Sequence, residues 1–206
     1  TPIQNVGAYG QEVSDTIVSV RTLDVHTSTE RRREVAACRF GYRTSLWKTL
    51  APAEIVLDVT FALRPGGKPT LRYAELSRAV AAAGADEDLR KVREVVLALR
   101  RSKSMVLDPS DPNRRSAGSF FVNPVVSEAQ AALVVSRAQT AGMITHAEEM
   151  PRWTQPDGVK LAAGWLIERA GFGRGMRDGA FGLSTRHTLA VVHHGGGSAR
   201  ELLTFA

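Results

Sequence analysis

A segment rich in proline and aspartate divides the chain into two parts. Residues 108–113, Asp-Pro-Ser-Asp-Pro-Asn, include two prolines, and proline lacks the N–H group that a helix interior or a central strand requires. This segment must therefore be a loop, and we expect a domain boundary between Asp108 and Ser119. Strand and helix patterns occur on both sides of it, so the sequence predicts two α+β units, residues 1–107 and 108–206.

Before the loop, strands precede helices. Alternating or β-branched apolar residues predict strands over 16–25, 34–40 and 54–63. The run Arg31-Arg32-Arg33 is interpreted as a solvated hairpin turn rather than as a binding patch. Helical composition predicts a helix over 73–83 that stops at Gly84, and a second helix that begins at an Asp86 N-cap and ends near Arg101.

After the loop, cap signals place the helices. Ser127 predicts the start of a helix that extends to about residue 141. Further along the chain, the sequence predicts a loop over 151–158, another helix over 159–170 and a strand over 188–193. Ser198 and Glu201 form a capping-box pattern that predicts a last helix. The sequence stops five residues after Glu201, so we expect the chain to be a piece of a longer protein.

Charge and composition limit the partners. The formal net charge of +6 and the pI of about 10 indicate affinity for anions, which are found in nucleic acids and also in nucleotide cofactors and diphosphate substrates. No apolar run is long enough to span a bilayer, so we expect a soluble protein without membrane contact. The lone Cys38 favours a reducing compartment, and we expect the cytoplasm.

Three segments carry residues that are suited to chemistry. Gly41–Ser45 places a tyrosine beside an arginine, whose planar guanidinium matches a carboxylate or a phosphate. Residues 117–124, Ala-Gly-Ser-Phe-Phe-Val-Asn-Pro, place a serine hydroxyl before two phenylalanines, where it could donate a proton. Residues 4–10, Gln-Asn-Val-Gly-Ala-Tyr-Gly, let backbone amides approach a phosphate. Each segment taken alone is typical of an ordinary turn.

Three other patterns are interpreted as structural. Ser45-Leu46-Trp47-Lys48 fits the S-x-x-K pattern of penicillin-recognising enzymes, but the partner motifs S-D-N and K-T-G are absent from the sequence. His193 and His194 are adjacent on a predicted strand, so they point to opposite faces and cannot chelate one metal together. The three glycines at 195–197 are interpreted as the turn that leads to Ser198.

In this order, the segments resemble the UDP-N-acetylenolpyruvoylglucosamine reductase (MurB) family. Residues 2–10 are similar to its flavin-binding segment PIQNIGAYG, and residues 38–45 to its segment C-x-F-x-YR-x-S. Residues 101–103, 118–124 and 160–167 are similar to its later signatures. The matches keep the order of the family and extend over nearly the whole chain.

The resemblance implies a fold and an activity. Residues 1–107 would be part of the FAD-binding domain, its second subdomain of the vanillyl-alcohol-oxidase/MurB type, and residues 108–206 a truncated substrate-binding domain. The activity would be the NADPH-dependent, FAD-mediated reduction of UDP-N-acetylglucosamine enolpyruvate to UDP-N-acetylmuramate in peptidoglycan synthesis, carried out by a monomer that uses no metal and binds no nucleic acid. The alternative, which rests on charge alone, is a basic nucleic-acid-binding module without enzymatic activity.

The resemblance also implies what is absent and what each residue does. The family has an N-terminal flavin subdomain and a C-terminal segment with a catalytic glutamate, so the 206-residue piece is expected to be inactive alone. Arg43 would stabilise the substrate carboxylate and its developing enolate, and Ser119 would donate the proton. The residues implied in substrate binding are Tyr42, Tyr73, Lys103, Asn123 and His187. The residues implied in flavin binding are Gln4, Asn5, Gly7, Ala8, Tyr9, Gly10, Arg43 and Leu57.

Overall fold

Two compact units make up the chain. The computed structural model describes residues 2–49, 53–85 and 88–206, and the backbone divides into residues 1–96 and 97–206. Both units combine helices and strands, as the sequence predicts. None of the described helices is long and apolar enough to cross a membrane.

The first unit contains a three-stranded antiparallel sheet. The described elements of this unit are β1 (Gly7–Ala8), β2 (Gln11–Glu12), β3 (Ile17–Asp24), β4 (Glu30–Glu34), α1 (Leu46–Thr49), β5 (Glu54–Phe61) and α2 (Ala74–Ala82), and α3 (Leu89–Ser102) extends into the second unit. The strand order is β4-β3-β5. The central strand buries Ile17 and Val20, which pack with Cys38.

The second unit contains two small antiparallel sheets. Its elements are β6 (Val125–Val126), α4 (Glu128–Thr140), β7 (Arg152–Gln155), β8 (Gly158–Leu161), α5 (Ala163–Arg169), β9 (Arg177–Asp178), β10 (Phe181–Leu183), β11 (Val191–His193) and α6 (Ala199–Phe205). One sheet has the order β6-β8-β7, and the other has the order β11-β10-β9. Met150 and Leu161 lie in the larger apolar core, whereas Phe181, Leu183 and Val191 form a second core.

Helix caps confirm the local predictions. The Ser127 hydroxyl accepts from the Gln130 amide at the start of α4, and the Ser198 hydroxyl accepts from the Glu201 amide at the start of α6. Each bond satisfies one of the unpaired N–H groups of a first helical turn. The predicted Asp86 cap lies outside the described residues. Within them, the carboxylate of Asp88 accepts from the amides of Arg90 and Lys91 in the first turn of α3.

Three predicted elements differ from the structure. The predicted strand over 34–40 is wrong, because β4 ends at Glu34 and residues 35–38 form a 3₁₀ turn. The predicted helix over 159–170 is wrong in its first part, where residues 158–161 form β8 and pair with β7. The predicted loop over 151–158 contains β7. In the last two cases, pairing with a neighbouring strand decides a short segment whose own pattern is ambiguous.

The arginine run is also a correction, because it lies within β4 rather than in a turn. Arg31 pairs with Asp24 at 2.9 Å, and Arg33 forms an ion pair with Glu54. The bonds from the Arg33 guanidinium are the largest of the effects that lower the pKa of Glu54. Two of the three arginines are therefore bonded to carboxylates of the neighbouring strand β3 and of β5.

Candidate functional site

Arg43 connects two segments that are far apart in sequence. It lies in a tight turn in which Gly41 and Thr44 form a β-bridge, and its backbone has a positive φ of 54°. Its Nη1 donates to the carbonyl oxygen of Asn5 at 3.0 Å, and its Nη2 donates to the carbonyl oxygen of Gly7 at 2.7 Å. The guanidinium also lies over the ring of Tyr42, 5.1 Å from its centroid. The structure thus brings together Tyr42, Arg43, Asn5 and Gly7.

The buried side chain of Asn5 bonds to both of these segments. Its side chain is almost fully buried, and Nδ2 donates to the Glu12 carboxylate at 2.7 Å and to the Gly41 carbonyl oxygen at 3.0 Å. Its Oδ1 accepts from the Ser14 amide at 3.1 Å. A buried amide with all of these bonds is a rigid connector, so Asn5 orients the segment in addition to any contact with a ligand.

Gly7 leaves the space that the arginine needs. A Cβ atom at this position would lie 2.9 Å from the Glu12 Cγ atom, 3.0 Å from the Gln11 carbonyl oxygen and 3.2 Å from the Arg43 Nη1 atom. The first two distances are too short for ordinary contacts. Glycine at this position therefore allows the close approach of Gln11 and Glu12 of β2, and also of the Arg43 guanidinium, to the backbone of residue 7.

An aromatic pair forms at the β1–β2 turn. Tyr9 and Gly10 connect the two strands with positive φ values of 53° and 81°, as a two-residue hairpin turn requires. The Tyr9 ring meets the Tyr73 ring edge to face, with centroids 5.8 Å apart. The structure therefore brings together one residue that the resemblance assigns to the flavin and one that it assigns to the substrate.

Backbone strain is concentrated in these segments. Among the described residues other than glycine, those with positive φ are Asn5, Tyr9, Ser28, Arg39, Arg43 and Ser104. The left-handed region costs an L-residue about 1–2 kcal/mol, and such residues cluster at binding sites. Asn5, Tyr9 and Arg43 all belong to the segments that the sequence singles out.

One buried hydroxyl beside Arg43 is unsatisfied. Ser45 is 1% exposed, and its Oγ has no hydrogen-bond partner among the described residues. An unpaired buried hydroxyl costs about 1–3 kcal/mol. With the close backbone approach at Gly7, this unsatisfied donor makes the segments around residues 5–10 and 42–45 fit a large polar group such as a flavin nucleotide.

The remaining residues assigned to the flavin have fewer contacts. Gln4 and Ala8 are exposed, and Leu57 lies on β5 with 42% of its surface exposed. The S-x-x-K pattern does not form a catalytic pair, because the Lys48 amine donates to the carbonyl oxygen of Arg43 at 3.0 Å.

In the second unit, Ser119 lies on an exposed loop that a backbone hydrogen bond holds at the residue after the serine. It follows Gly118, which has a positive φ of 83°, and it precedes Phe120, whose amide donates to the Leu189 carbonyl oxygen at 2.7 Å. Phe121 packs against Phe120 with the ring centroids 5.2 Å apart. The serine hydroxyl is therefore presented to solvent from a position that the next residue fixes.

Asn123 has a structural bond in the same segment. Its Oδ1 accepts from the amide of Ala163 at 2.9 Å, at the first turn of α5. This bond satisfies an unpaired N–H group of the helix. Asn123 therefore caps α5, a role that the sequence alone does not indicate.

Lys103 and His187 lie near each other in this unit. His187 is half-buried, and this burial lowers the pKa of its imidazole; the positive charges of Lys103 and Arg174 lower the pKa further. Two positive charges, on Lys103 and Arg174, that act on one imidazole favour an anionic ligand. Arg174, which also pairs with Glu168 at 2.9 Å, is a member of this group that the sequence does not reveal.

The histidine pair has a structural explanation. The His193 Nε2 accepts from the Gly197 amide at 3.2 Å, and the His193 ring stacks on Phe181 with centroids 5.1 Å apart. A Cβ atom on Gly197 would lie 2.5 Å from the Phe181 ring. The glycines therefore form the close turn that leads to the Ser198 cap, as predicted.

Comparison with known proteins identifies relatives of the whole chain. A family model described as the UDP-N-acetylenolpyruvoylglucosamine reductase C-terminal domain matches residues 109–206. Over its whole length the chain is 49% identical to the UDP-N-acetylenolpyruvoylglucosamine reductase of Mycobacterium tuberculosis strain H37Rv and 46% identical to that of Thermobifida fusca. It spans 57% and 58% of their lengths, a little over half of each relative.

A solved structure shares the fold. The MurB structure from Thermus caldophilus superposes with a TM-score of 0.54 at 23% identity, covering 98% of this chain and 51% of that one. The sequence matches extend from the Asn5–Arg43 segments to the second unit. The chain belongs to the UDP-N-acetylenolpyruvoylglucosamine reductase (MurB) family.

Proposed function

We propose that a protein of the relatives' full length that contains this chain reduces UDP-N-acetylglucosamine enolpyruvate to UDP-N-acetylmuramate, using FAD and NADPH, for peptidoglycan synthesis in the cytoplasm. The observation that carries the proposal is the pair of bonds from the Arg43 guanidinium to Asn5 and Gly7. These bonds join the segment that the resemblance assigns to the flavin to the arginine that it assigns to the substrate carboxylate.

The two parts of the chain would bind different molecules. We assign residues 1–107 to the FAD-binding domain, as its second subdomain, and residues 108–206 to the substrate-binding domain. The chemistry that FAD supplies when bound is hydride transfer, from NADPH to the terminal vinyl carbon of the substrate. The residues that would hold it are Gln4, Asn5, Gly7, Ala8, Tyr9, Gly10, Arg43 and Leu57.

Arg43 is suited to stabilise the charge that develops on the substrate. A guanidinium has five N–H donors, and two of them hold the backbone of Asn5 and Gly7. The same bonds, together with the Glu12 carboxylate 3.7 Å from Nη1, fix the plane of the guanidinium before any substrate binds. We assign its further N–H groups to the substrate carboxylate. When hydride reaches the vinyl carbon, negative charge spreads into that carboxylate as an enolate, which a preoriented cation stabilises.

Ser119 would complete the reaction by donating its hydroxyl proton to the carbon next to the carboxylate. The hydride and this proton together reduce the double bond, and the serine would recover its proton from solvent. Its exposure and the anchored Phe120 amide suit a donor that must meet a bound substrate in a fixed position. The remaining substrate contacts are assigned to Tyr42, Tyr73, Lys103, Asn123 and His187.

The test follows the colour of the flavin. The purified full-length protein is expected to be yellow, to lose its absorbance with NADPH in the absence of oxygen, and to regain it on addition of the enolpyruvyl substrate. Mass spectrometry should then detect UDP-N-acetylmuramate. A colourless protein that does not bind added FAD, or a reduced protein that the substrate does not reoxidise, would contradict the proposal.

A further inference from the structure

Asn113 is a buried amide that joins two distant loops of the second unit. Its side chain is 4% exposed. Nδ2 donates to the Ser104 hydroxyl at 3.0 Å, to the Thr185 hydroxyl at 2.9 Å and to the Asp111 carboxylate at 3.2 Å, while Oδ1 accepts from the Thr185 backbone amide at 3.0 Å. One side chain therefore fixes Thr185 at two atoms and holds Ser104 against it.

Ser104 and Thr185 each lie near a residue that the resemblance assigns to the substrate. Ser104 directly follows Lys103 at the end of α3, and it has a positive φ of 55°. The Ser104 amide bonds to the carbonyl oxygen of Arg101 at 3.0 Å, so the helix end and the strained residue are held together. Thr185 precedes His187 by two residues, in a loop where the Ser184 hydroxyl accepts from the Arg186 amide at 3.1 Å.

Lys103 lies in one of the two loops and His187 in the other. Lys103 and Arg174 both act on the His187 imidazole in the direction that disfavours its protonation. Because a protonated His187 would be repelled by Lys103, the proximity of the two side chains has to be maintained by other bonds. The Asn113 amide supplies such bonds between the loops that carry Lys103 and His187.

We propose that Asn113 is a positioning residue, which holds the loops of Lys103 and His187 together so that both face one anionic group of the substrate, the diphosphate. The placement of the diphosphate rests on the proposed function, whereas the positioning of the two loops does not. Loss of the Asn113 amide separates the two loops and reduces the electrostatic interaction between Lys103 and His187.

The first experiment measures that interaction in the 206-residue chain without any ligand. Lys103→Met removes a nearby positive charge, so the pKa of His187, followed by NMR of its imidazole, is expected to rise. In an Asn113→Ala background, the same Lys103→Met substitution is expected to raise the pKa of His187 by clearly less. An equal rise in both backgrounds overturns the proposal.

Two further variants separate positioning from general stability. Ser127→Ala removes the cap of α4, away from the two loops, and should lower the unfolding temperature while leaving the Lys103–His187 interaction at its original size. Thr185→Val keeps the side-chain shape and removes one acceptor of the Asn113 amide, so it should give a partial loss. It also serves where Asn113→Ala does not fold, and an undiminished interaction in Thr185→Val then overturns the proposal.

The second experiment tests the ligand with UDP as the probe, by calorimetry on the same chain. Lys103→Met and Asn113→Ala are each expected to weaken UDP binding about tenfold or more, as loss of a charge-assisted contact does, and Ser127→Ala should leave binding unchanged. If Lys103→Met has no effect on UDP binding, the substrate assignment fails, while the pKa experiment still decides the role of Asn113. Equal UDP binding by Asn113→Ala and the wild type overturns the diphosphate part of the proposal.

Discussion

Replacement of Arg43 by lysine tests whether the guanidinium holds the first unit together. The side chain is 26% exposed, and its two bonds to backbone carbonyls are charge-assisted. A hydrogen bond to a charged group contributes about 1.5–3 kcal/mol, and one ammonium cannot reach both the Asn5 and the Gly7 oxygens with the geometry of the planar guanidinium. The positive φ is retained by lysine, so the backbone strain is nearly the same. We expect the free energy of unfolding to fall by about 1.5–3 kcal/mol.

Urea unfolding followed by tryptophan fluorescence measures this loss. The chain has three tryptophans, and only Trp47 belongs to the first unit, so replacement of Trp153 and Trp165 by phenylalanine leaves a reporter for that unit. Arg32→Lys is the matched control, because Arg32 is exposed on β4 and should change the free energy by less than about 0.5 kcal/mol. Equal unfolding midpoints for the two variants would refute the structural role of Arg43.

The same substitution separates two roles of Arg43 in the full-length protein. If the guanidinium acted only on the substrate carboxylate, Arg43→Lys would lower turnover and leave FAD affinity unchanged. Because it also holds the backbone of Asn5 and Gly7, we expect FAD affinity and turnover to fall together. FAD affinity can be measured by equilibrium titration of the apoprotein, independently of catalysis.

Other predictions concern single bonds of the structure. Ser119→Ala in the full-length protein should leave flavin reduction by NADPH unchanged and slow the reoxidation of the flavin by the substrate roughly a hundredfold to ten-thousandfold. Stopped-flow absorbance measures the two half-reactions separately. Equal slowing of both would indicate damaged flavin binding instead. The bond from Arg33 lowers the pKa of Glu54, so the pair stabilises the fold fully above the ordinary glutamate pKa of about 4.3 and loses this effect as the pH falls through the lower folded pKa. Glu54→Gln should therefore reduce the dependence of the unfolding free energy on pH in the acidic range. An unchanged pH dependence in that range would contradict this. Asn123→Ala removes the bond to the Ala163 amide and should cost about 1 kcal/mol in thermal unfolding; an unchanged stability with a raised KM would mean that Asn123 acts on the substrate alone.

The predictable parts of the fold are those that local bonds decide. The caps at Ser127 and Ser198 involve residues three positions apart, so the sequence contains the whole interaction. β4 shows the opposite case, because five consecutive charged residues do not resemble a strand. Its stability depends on Asp24 and Glu54, which lie elsewhere in the sequence, and only the tertiary pairing reveals them.

The sequence names residues for the candidate site but does not predict the contacts between them. The resemblance names Asn5, Gly7 and Arg43, yet it does not show that they bond to one another. The sequence around Asn113 does not predict its bonds to other loops, because an asparagine beside a proline in a loop is typical of a turn. Its partner Thr185 is 72 residues away, beyond the range of any local pattern.

This distinction limits what a loss of activity can prove in this family. Asn5 and Asn123 both lie in signature segments, but in this structure each forms bonds that hold the backbone. Replacement of either residue would reduce activity through misplaced neighbours, even if neither touched a ligand. A role in binding therefore needs a measurement in which stability and affinity change independently, such as FAD titration for the first unit and UDP titration for the second, each compared with a cap variant of similar stability.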